Sequence, residues 1–139
     1  MKLMKATKEQ EEFVDDKLTE YNQNSKPLLQ ERAAEIFSYS AMEGEKVVGG
    51  IFGYSSMYKI GYIDTLWVDS NYRRQGIGSQ LLKQVEADLT NFGCAVVHLE
   101  TFDFQGPQFY LANGYHEFAR LNYPNANLDE IFLAKTLKG

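Results

Sequence analysis

A single cysteine, Cys94, stands among 139 residues. One thiol cannot close an internal disulfide, and it gives no support to a zinc site, so no metal is expected. Long hydrophobic runs are missing as well: none approaches the roughly 20 residues that a membrane helix needs. The opening stretch "MKLMKATKEQEEF" turns polar early and lacks the apolar core of a signal peptide. A cytoplasmic protein with no membrane partner is the expectation. Positive charge is scarce. Fourteen Lys and Arg against 19 Asp and Glu leave a net charge of −5, which speaks against a broad nucleic-acid footprint and suits a cationic small molecule. Internal repeats and low-complexity segments are also missing. What is present is ordinary: 44% hydrophobic and 24% charged residues, at a length that fits one domain, residues 1–139, around a real core.

Periodicity divides the chain into short elements. "KLMKAT" reads as a first strand and Glu9–Tyr21 as a helix with a narrow apolar stripe, Phe13, Val14 and Leu18. Its acidic residues cluster near the N-terminus, where the helix dipole favours them. "LLQERAAE", after Pro27, reads as a second helix. "EIFSYSAME" and "KVVGGIFGYSSM" flank "GE", a hairpin turn. Gly49, Gly50 and Gly53 inside the second of these predict a bulge or a close backbone approach. "GYIDTLWVD" is a further strand. Leu81, Leu82, Val85 and Leu89 recur at helical spacing up to Gly93, a C-terminal cap. "CAVVHLETF" is nearly continuous in apolar residues, as in a strand covered on both faces. "GPQFYLAN" reads as a short helix, "YHEFARL" and "EIFLAKTL" as two closing strands. The order β-α-α-β-β-β-α-β-α-β-β predicts a mixed α/β sheet with helices on both faces.

One junction carries chemistry. "YRRQGIG", residues 72–78, lies between an apolar strand and a helix. Such a turn aims free backbone N–H groups at one point, and the helix dipole adds positive potential. Gly76 and Gly78 permit close backbone approach. Arg73 and Arg74 add charge and bidentate donors, and Ser79 a hydroxyl. The expected chemistry is pyrophosphate binding; the plain alternative is an ordinary turn with surface arginines. A P-loop is excluded, because no Gly-Lys-Ser/Thr follows at the required spacing. A dinucleotide fingerprint is excluded too, because Leu81 occupies the place of its third glycine.

The pattern Arg73-x-x-Gly76-x-Gly78 after "LWVDSNY" and before "SQLLKQVE" resembles motif A of the GNAT acetyltransferase superfamily. "VVGGIFGY", "LWV", "LETFDFQGPQFY", "NGY" and "IFLAKTL" fall in that family's order, from about Phe37 to Leu137. The resemblance implies a GNAT-like fold: a mixed, mostly antiparallel sheet splayed between its central strands. It implies acetyl-CoA as cofactor and direct acetyl transfer to a primary amine of a small molecule or peptide, by a monomer or a homodimer. Leu66, Trp67 and Val68 would offer backbone partners to the pantetheine arm. Arg73, Arg74, Gln75, Gly76, Ile77, Gly78 and Ser79 would hold the pyrophosphate. The indole of Trp67 is expected to pack into the core.

Acetyl transfer to an amine needs an oxyanion holder, a stabiliser of the departing thiolate and a base. Backbone N–H groups of the splayed strand suit the first. For the second, Tyr110 in "GPQFYLANGY" resembles the family's motif-B tyrosine. A phenol near pKa 10 stays protonated at neutral pH, above a thiol near 8.5. Its alternative is core packing. Asp103 stands where many relatives carry Asn, and nearby Gln105 is a candidate replacement for that amide.

The base has several candidates in the sequence. An alkylamine near pKa 10.4 costs roughly 4–5 kcal/mol to deprotonate at pH 7. Many relatives use a glutamate on the strand before motif A, and that position is Tyr62 here. Strict alternation puts Tyr62, Asp64 and Leu66 on one face. Asp64, Glu100 and His98 are the candidates, with ordered water as a further route; each has a structural alternative, because buried carboxylates and histidines also serve local donors. Cys94 is expected to pack rather than react. A catalytically silent CoA-binding regulatory domain is the rival from another class, kept open by Tyr62 and opposed by Tyr110. A flavodoxin-like nucleotide-binding domain is opposed by the two closing strands with their short connection.

Overall fold

The computed structural model describes residues 1–138. Helix α1 spans Lys8–Ser25, followed by strands β1 (Ala34–Glu43), β2 (Lys46–Ser56) and β3 (Ile60–Val68). A short turn, Ser70–Tyr72, leads into α2 (Ile77–Phe92). Then come β4 (Val96–Phe102), α3 (Pro107–Ala112), β5 (His116–Tyr123) and β6 (Leu128–Thr136). The six strands form one sheet in the order β1-β2-β3-β4-β6-β5. All pairs are antiparallel except β3–β4. This is a mixed α/β fold with a mostly antiparallel sheet flanked by helices, as the family resemblance implies.

Local chemistry explains most boundaries. Thr7 and Gln10 close a reciprocal capping box at the start of α1. Gly93, at φ 107°, ends α2 in a left-handed turn and donates its N–H to the Leu89 and Thr90 carbonyls. The glycines of β2 serve a close approach: a Cβ on Gly53 would lie 2.8 Å from the Val85 side chain of α2.

Two expected elements are absent. Residues 1–6 join no strand, and residues 29–33 are bends rather than a second helix. The segment around 29–30 is instead held by tertiary bonds: the Leu29 N–H donates to the Met57 carbonyl, and the Gln30 amide to the Ser55 carbonyl.

The core is one-sided. Ile51, Ile63, Val97, Leu99, Ile131 and Leu133 point to the face that carries α2 and α3. There they meet Leu81, Leu82, Val85 and Leu89 of α2, and Tyr110 packs against the same cluster. On the opposite face, the cross-strand rows Ile36–Tyr54–Tyr62–His98 and Ser38–Phe52–Thr65 contain no buried residue. Strand β4 is therefore covered on one face, not two. Its alternating burial reflects His98 and Glu100 on the open side.

An irregularity in the β2–β3 pairing alters strand phase. Phe52 pairs with Thr65 and Gly53 with Ile63, so Asp64 is an extra, bulged residue. Beyond it the faces exchange. Tyr62 shares its face with Thr65 and Trp67, whereas Leu66 turns to the core. Strict alternation misassigned these residues for that reason. Trp67 does not pack into the core; it is 50% exposed on the open face.

Candidate active site

Strands β3 and β4 pair only at Gly61–Val97 and Tyr62–His98. Beyond that point they part: residues 63 and 65–68 pair only with β2, and residues 99–102 only with β6. The inner edge of β3 is left without a ladder partner, so its backbone groups face a gap. A cavity of about 210 Å³ fills the gap, lined among others by Asp64, Leu66, Glu100, Thr101, Gln105 and Tyr110. The fold thus gathers five residues singled out from the sequence: Leu66, both carboxylate candidates, Gln105 and the motif-B tyrosine. No Lys or Arg lines it.

The gap opens through the sheet, so its two ends differ. On the helix side, Tyr110 sits on α3 with its ring edge-on to Phe109 (5.1 Å) and Tyr115 (5.7 Å). Burial pushes its phenol up to about 12, with no hydrogen-bond partner contributing. On the open side, the Tyr62 hydroxyl donates to the Glu100 carboxylate. Burial first, then that bond and the negative charge beside it, hold the Tyr62 phenol well above the usual tyrosine range. The position that lacks the expected glutamate therefore still carries a carboxylate, delivered from β4 by the Tyr62–His98 register. Sequence spacing along β3 has no signal for a neighbour 38 residues away. His98 packs against Tyr62 with its ring tilted at 55° and centroids 5.0 Å apart, but does not line the cavity.

Gln105 is partly committed. Its side-chain oxygen accepts from the Phe102 N–H (2.9 Å) and the Thr101 hydroxyl (3.4 Å), so only its NH₂ remains to face the gap. Asp103 accepts from the Asp129 N–H and fastens the start of β6. Cys94 is buried, with its Sγ 3.3 Å from the Ser55 hydroxyl.

The glycine-rich turn lies at the far end of β3. Gly76 caps α2 at φ 78°, and no side chain caps the first turn. The leading N–H groups of α2 are thus available to an anion. Arg74 takes φ 63°, a conformation rare outside glycine and asparagine, and it does so in this loop. Arg73 turns back, donating from Nε to the Val68 carbonyl at 3.2 Å, while Arg74 is exposed. Gly78 has a packing role as well. A Cβ there would lie 3.3 Å from the Phe109 ring, so its absence lets α3 close on α2. The uncapped helix, the unpartnered strand edge and the gap beside Tyr110 together fit an elongated cofactor with an anionic end. Trp67, Val68 and residues 73–79 lie outside the cavity itself.

Sequence reading missed one buried cluster. Glu86 of α2 accepts from the Tyr115 hydroxyl (2.7 Å) and from Lys135 of β6 (2.9 Å). Lys135 also donates to the Asn113 carbonyl. This cluster ties α2, α3 and β6 together behind Tyr110. Its signal was present: a carboxylate inside the apolar stripe of a helix.

Comparison with known proteins agrees with the geometry. The family model described as acetyltransferase (GNAT) family matches residues 3–115. A blasticidin-S acetyltransferase from Streptomyces morookaense is 36% identical over 101 residues, 70% of this chain and 74% of that protein. N-alpha-acetyltransferase 30 from Xenopus laevis is 42% identical over 67 residues, 45% of this chain and 24% of that longer protein. The crystal structure of an acetyltransferase from Bacillus cereus superposes with a TM-score of 0.86 at 30% identity, covering 99% of this chain and 98% of that one. The chain belongs to the acetyltransferase (GNAT) family.

Proposed function

We propose that this acyltransferase, whose co-substrate is acetyl-CoA, moves the acetyl group to the primary amine of a small, cationic acceptor that enters the gap from the open face of the sheet. The observation that carries this reading is the pair of carboxylates, Asp64 and Glu100, in a cavity without a basic residue. An ammonium group gains Coulomb energy there, and a base is at hand to deprotonate it. Similarity to a blasticidin-S acetyltransferase over most of both chains supports a small-molecule acceptor.

Bound acetyl-CoA supplies an activated thioester. Backbone N–H groups of Arg74 to Ser79, with the Arg74 guanidinium, hold its pyrophosphate. Leu66, Trp67 and Val68 offer the open edge of β3 to the pantetheine arm, and the Gln105 NH₂ adds a donor. Glu100, fixed by the Tyr62 hydroxyl, accepts the amine proton, and Asp64 holds the ammonium group before transfer. Tyr110 donates a hydrogen bond to the departing sulfur. With its phenol near 12 and a thiol near 8.5, full proton transfer to the sulfur is uphill by roughly 5 kcal/mol. A hydrogen bond that stabilises the thiolate is therefore its role, rather than proton donation.

The test is release of free thiol from acetyl-CoA with a panel of polyamines, aminoglycosides, nucleoside amines, amino acids and peptides. Turnover with a small cationic amine is expected. Turnover confined to peptide N-termini would overturn the acceptor class. Tight CoA binding without turnover on any amine would favour a silent CoA-binding domain.

A further inference from the structure

Helix α1 buries none of its eighteen residues. Its stripe Phe13, Val14, Leu18 and Tyr21 is 57–68% exposed. The open face of the sheet is equally bare: Ile36 is 64% exposed, Phe52 52% and Trp67 50%, with Tyr54 and Tyr62 half-buried among them. One chain thus carries two unpartnered apolar surfaces, an amphipathic helix and the kind of sheet face such a helix covers. Soluble monomers seldom leave apolar patches of this size uncovered.

The helix makes no extended contact with its own sheet. The Tyr58 hydroxyl donates to the Lys26 carbonyl at 3.1 Å and lies 3.5 Å from the Asn22 carbonyl. The Leu29 and Gln30 bonds pin the following segment to the end of β2. These bonds hold the C-terminal end of α1 at the β2–β3 turn while its stripe remains bare. A second copy of the chain presents the complementary surface without breaking them.

We propose that the protein is a twofold homodimer in which each α1 lays its Phe13–Tyr21 stripe across the open sheet face of the other copy. A contact of this kind is self-complementary and closes after two subunits. Two such contacts remove about 1,700 Å² of side-chain surface, taking about 200 Å² for a fully exposed large side chain, within the size of specific, stable interfaces. The outer edge of β1 is also free, and residues 1–6, in no strand of their own chain, lead directly into the exchanged helix. The helix also covers Trp67 and passes beside Tyr62 and Glu100, so the second copy lines one side of the entrance that the acceptor uses. That last consequence rests on the proposed function; the dimer does not.

The test is run without acetyl-CoA, so its outcome is independent of catalysis. Sedimentation should give a dimer at micromolar concentration. Trp67 is the only tryptophan, and its emission should shift to the blue as concentration rises through the dissociation constant. Phe13→Asp with Leu18→Asp should give a monomer, as should Ile36→Asp with Phe52→Asp; all four side chains are exposed, and circular dichroism checks the fold. Mixing the two monomeric variants should restore a dimer, because each retains the surface that the other lost. A monomer at tens of micromolar would overturn the proposal. So would a blue-shifted Trp67 independent of concentration, which means the helix closes on its own sheet. A dimer indifferent to all four substitutions would place the interface elsewhere and overturn it too.

Discussion

Replacing Tyr110 by Phe removes one oxygen and little else. The ring keeps its edge-on contacts with Phe109 and Tyr115, and no hydrogen-bond partner of the hydroxyl contributes to its shifted pKa. The stability change should therefore stay below about 1 kcal/mol. The kinetic change should be larger. A hydrogen bond to a charged group contributes about 1.5–3 kcal/mol, so loss of the donor to the thiolate lowers kcat by about 10- to 150-fold. The KM for acetyl-CoA should stay within about twofold, because the bond is made only as charge develops on sulfur. The pH dependence follows from the raised phenol. A tyrosine at about 12 keeps its proton below that value and loses it as pH rises through it. The ratio of wild-type to Tyr110→Phe rates should thus be flat from pH 7 to about 10. Thiol release under saturating acceptor measures kcat and KM across that range. Equal losses in kcat and acetyl-CoA affinity would refute the reasoning, as would a kcat within twofold of wild type.

Glu100→Gln keeps the shape of the Tyr62 contact but removes the base. Turnover at pH 7 should fall by about 100-fold or more and recover as pH rises toward the pKa of the acceptor amine; a loss that persists at high pH would assign Glu100 to structure. Asp64→Asn should raise the KM for the amine more than it lowers kcat, as steady-state kinetics will show. Gly78→Ala sets a Cβ 3.3 Å from the Phe109 ring. The helix propensity gained, about 1 kcal/mol, offsets the crowding, so the melting temperature should move little while kcat falls several-fold through displaced α3. Glu86→Gln leaves Lys135 without its charge partner, 28% exposed beside an 11% exposed site. Denaturant unfolding should show a loss of about 1–3 kcal/mol.

The local signals proved sound where the physics is local. The Gly44–Glu45 turn, the α2 stripe and its Gly93 cap, and the Pro107 helix start all depend on neighbours within a few residues, and all formed as expected. The glycine-rich turn before α2 was legible for the same reason: strand, glycines and helix start are contiguous in the chain.

Other features depended on partners far along the chain. "LLQERAAE" has helical composition, yet bonds from the β2–β3 end to Leu29 and Gln30 override it. "KLMKAT" has strand composition but no ladder to join, since a strand exists only beside another. One bulged residue, Asp64, exchanged the faces of Leu66 and Trp67, because a period of two reverses with a single insertion. The contact of Tyr62 with Glu100 exists because a parallel register places two distant strands side by side. Sequence periodicity, together with the family resemblance of its motifs, determined the mixed fold class, the place of the glycine-rich turn and the list of candidate groups. Only the tertiary structure decided which of them share the gap and which face lies open, because sheet register and helix docking are set by partners that a linear pattern does not contain.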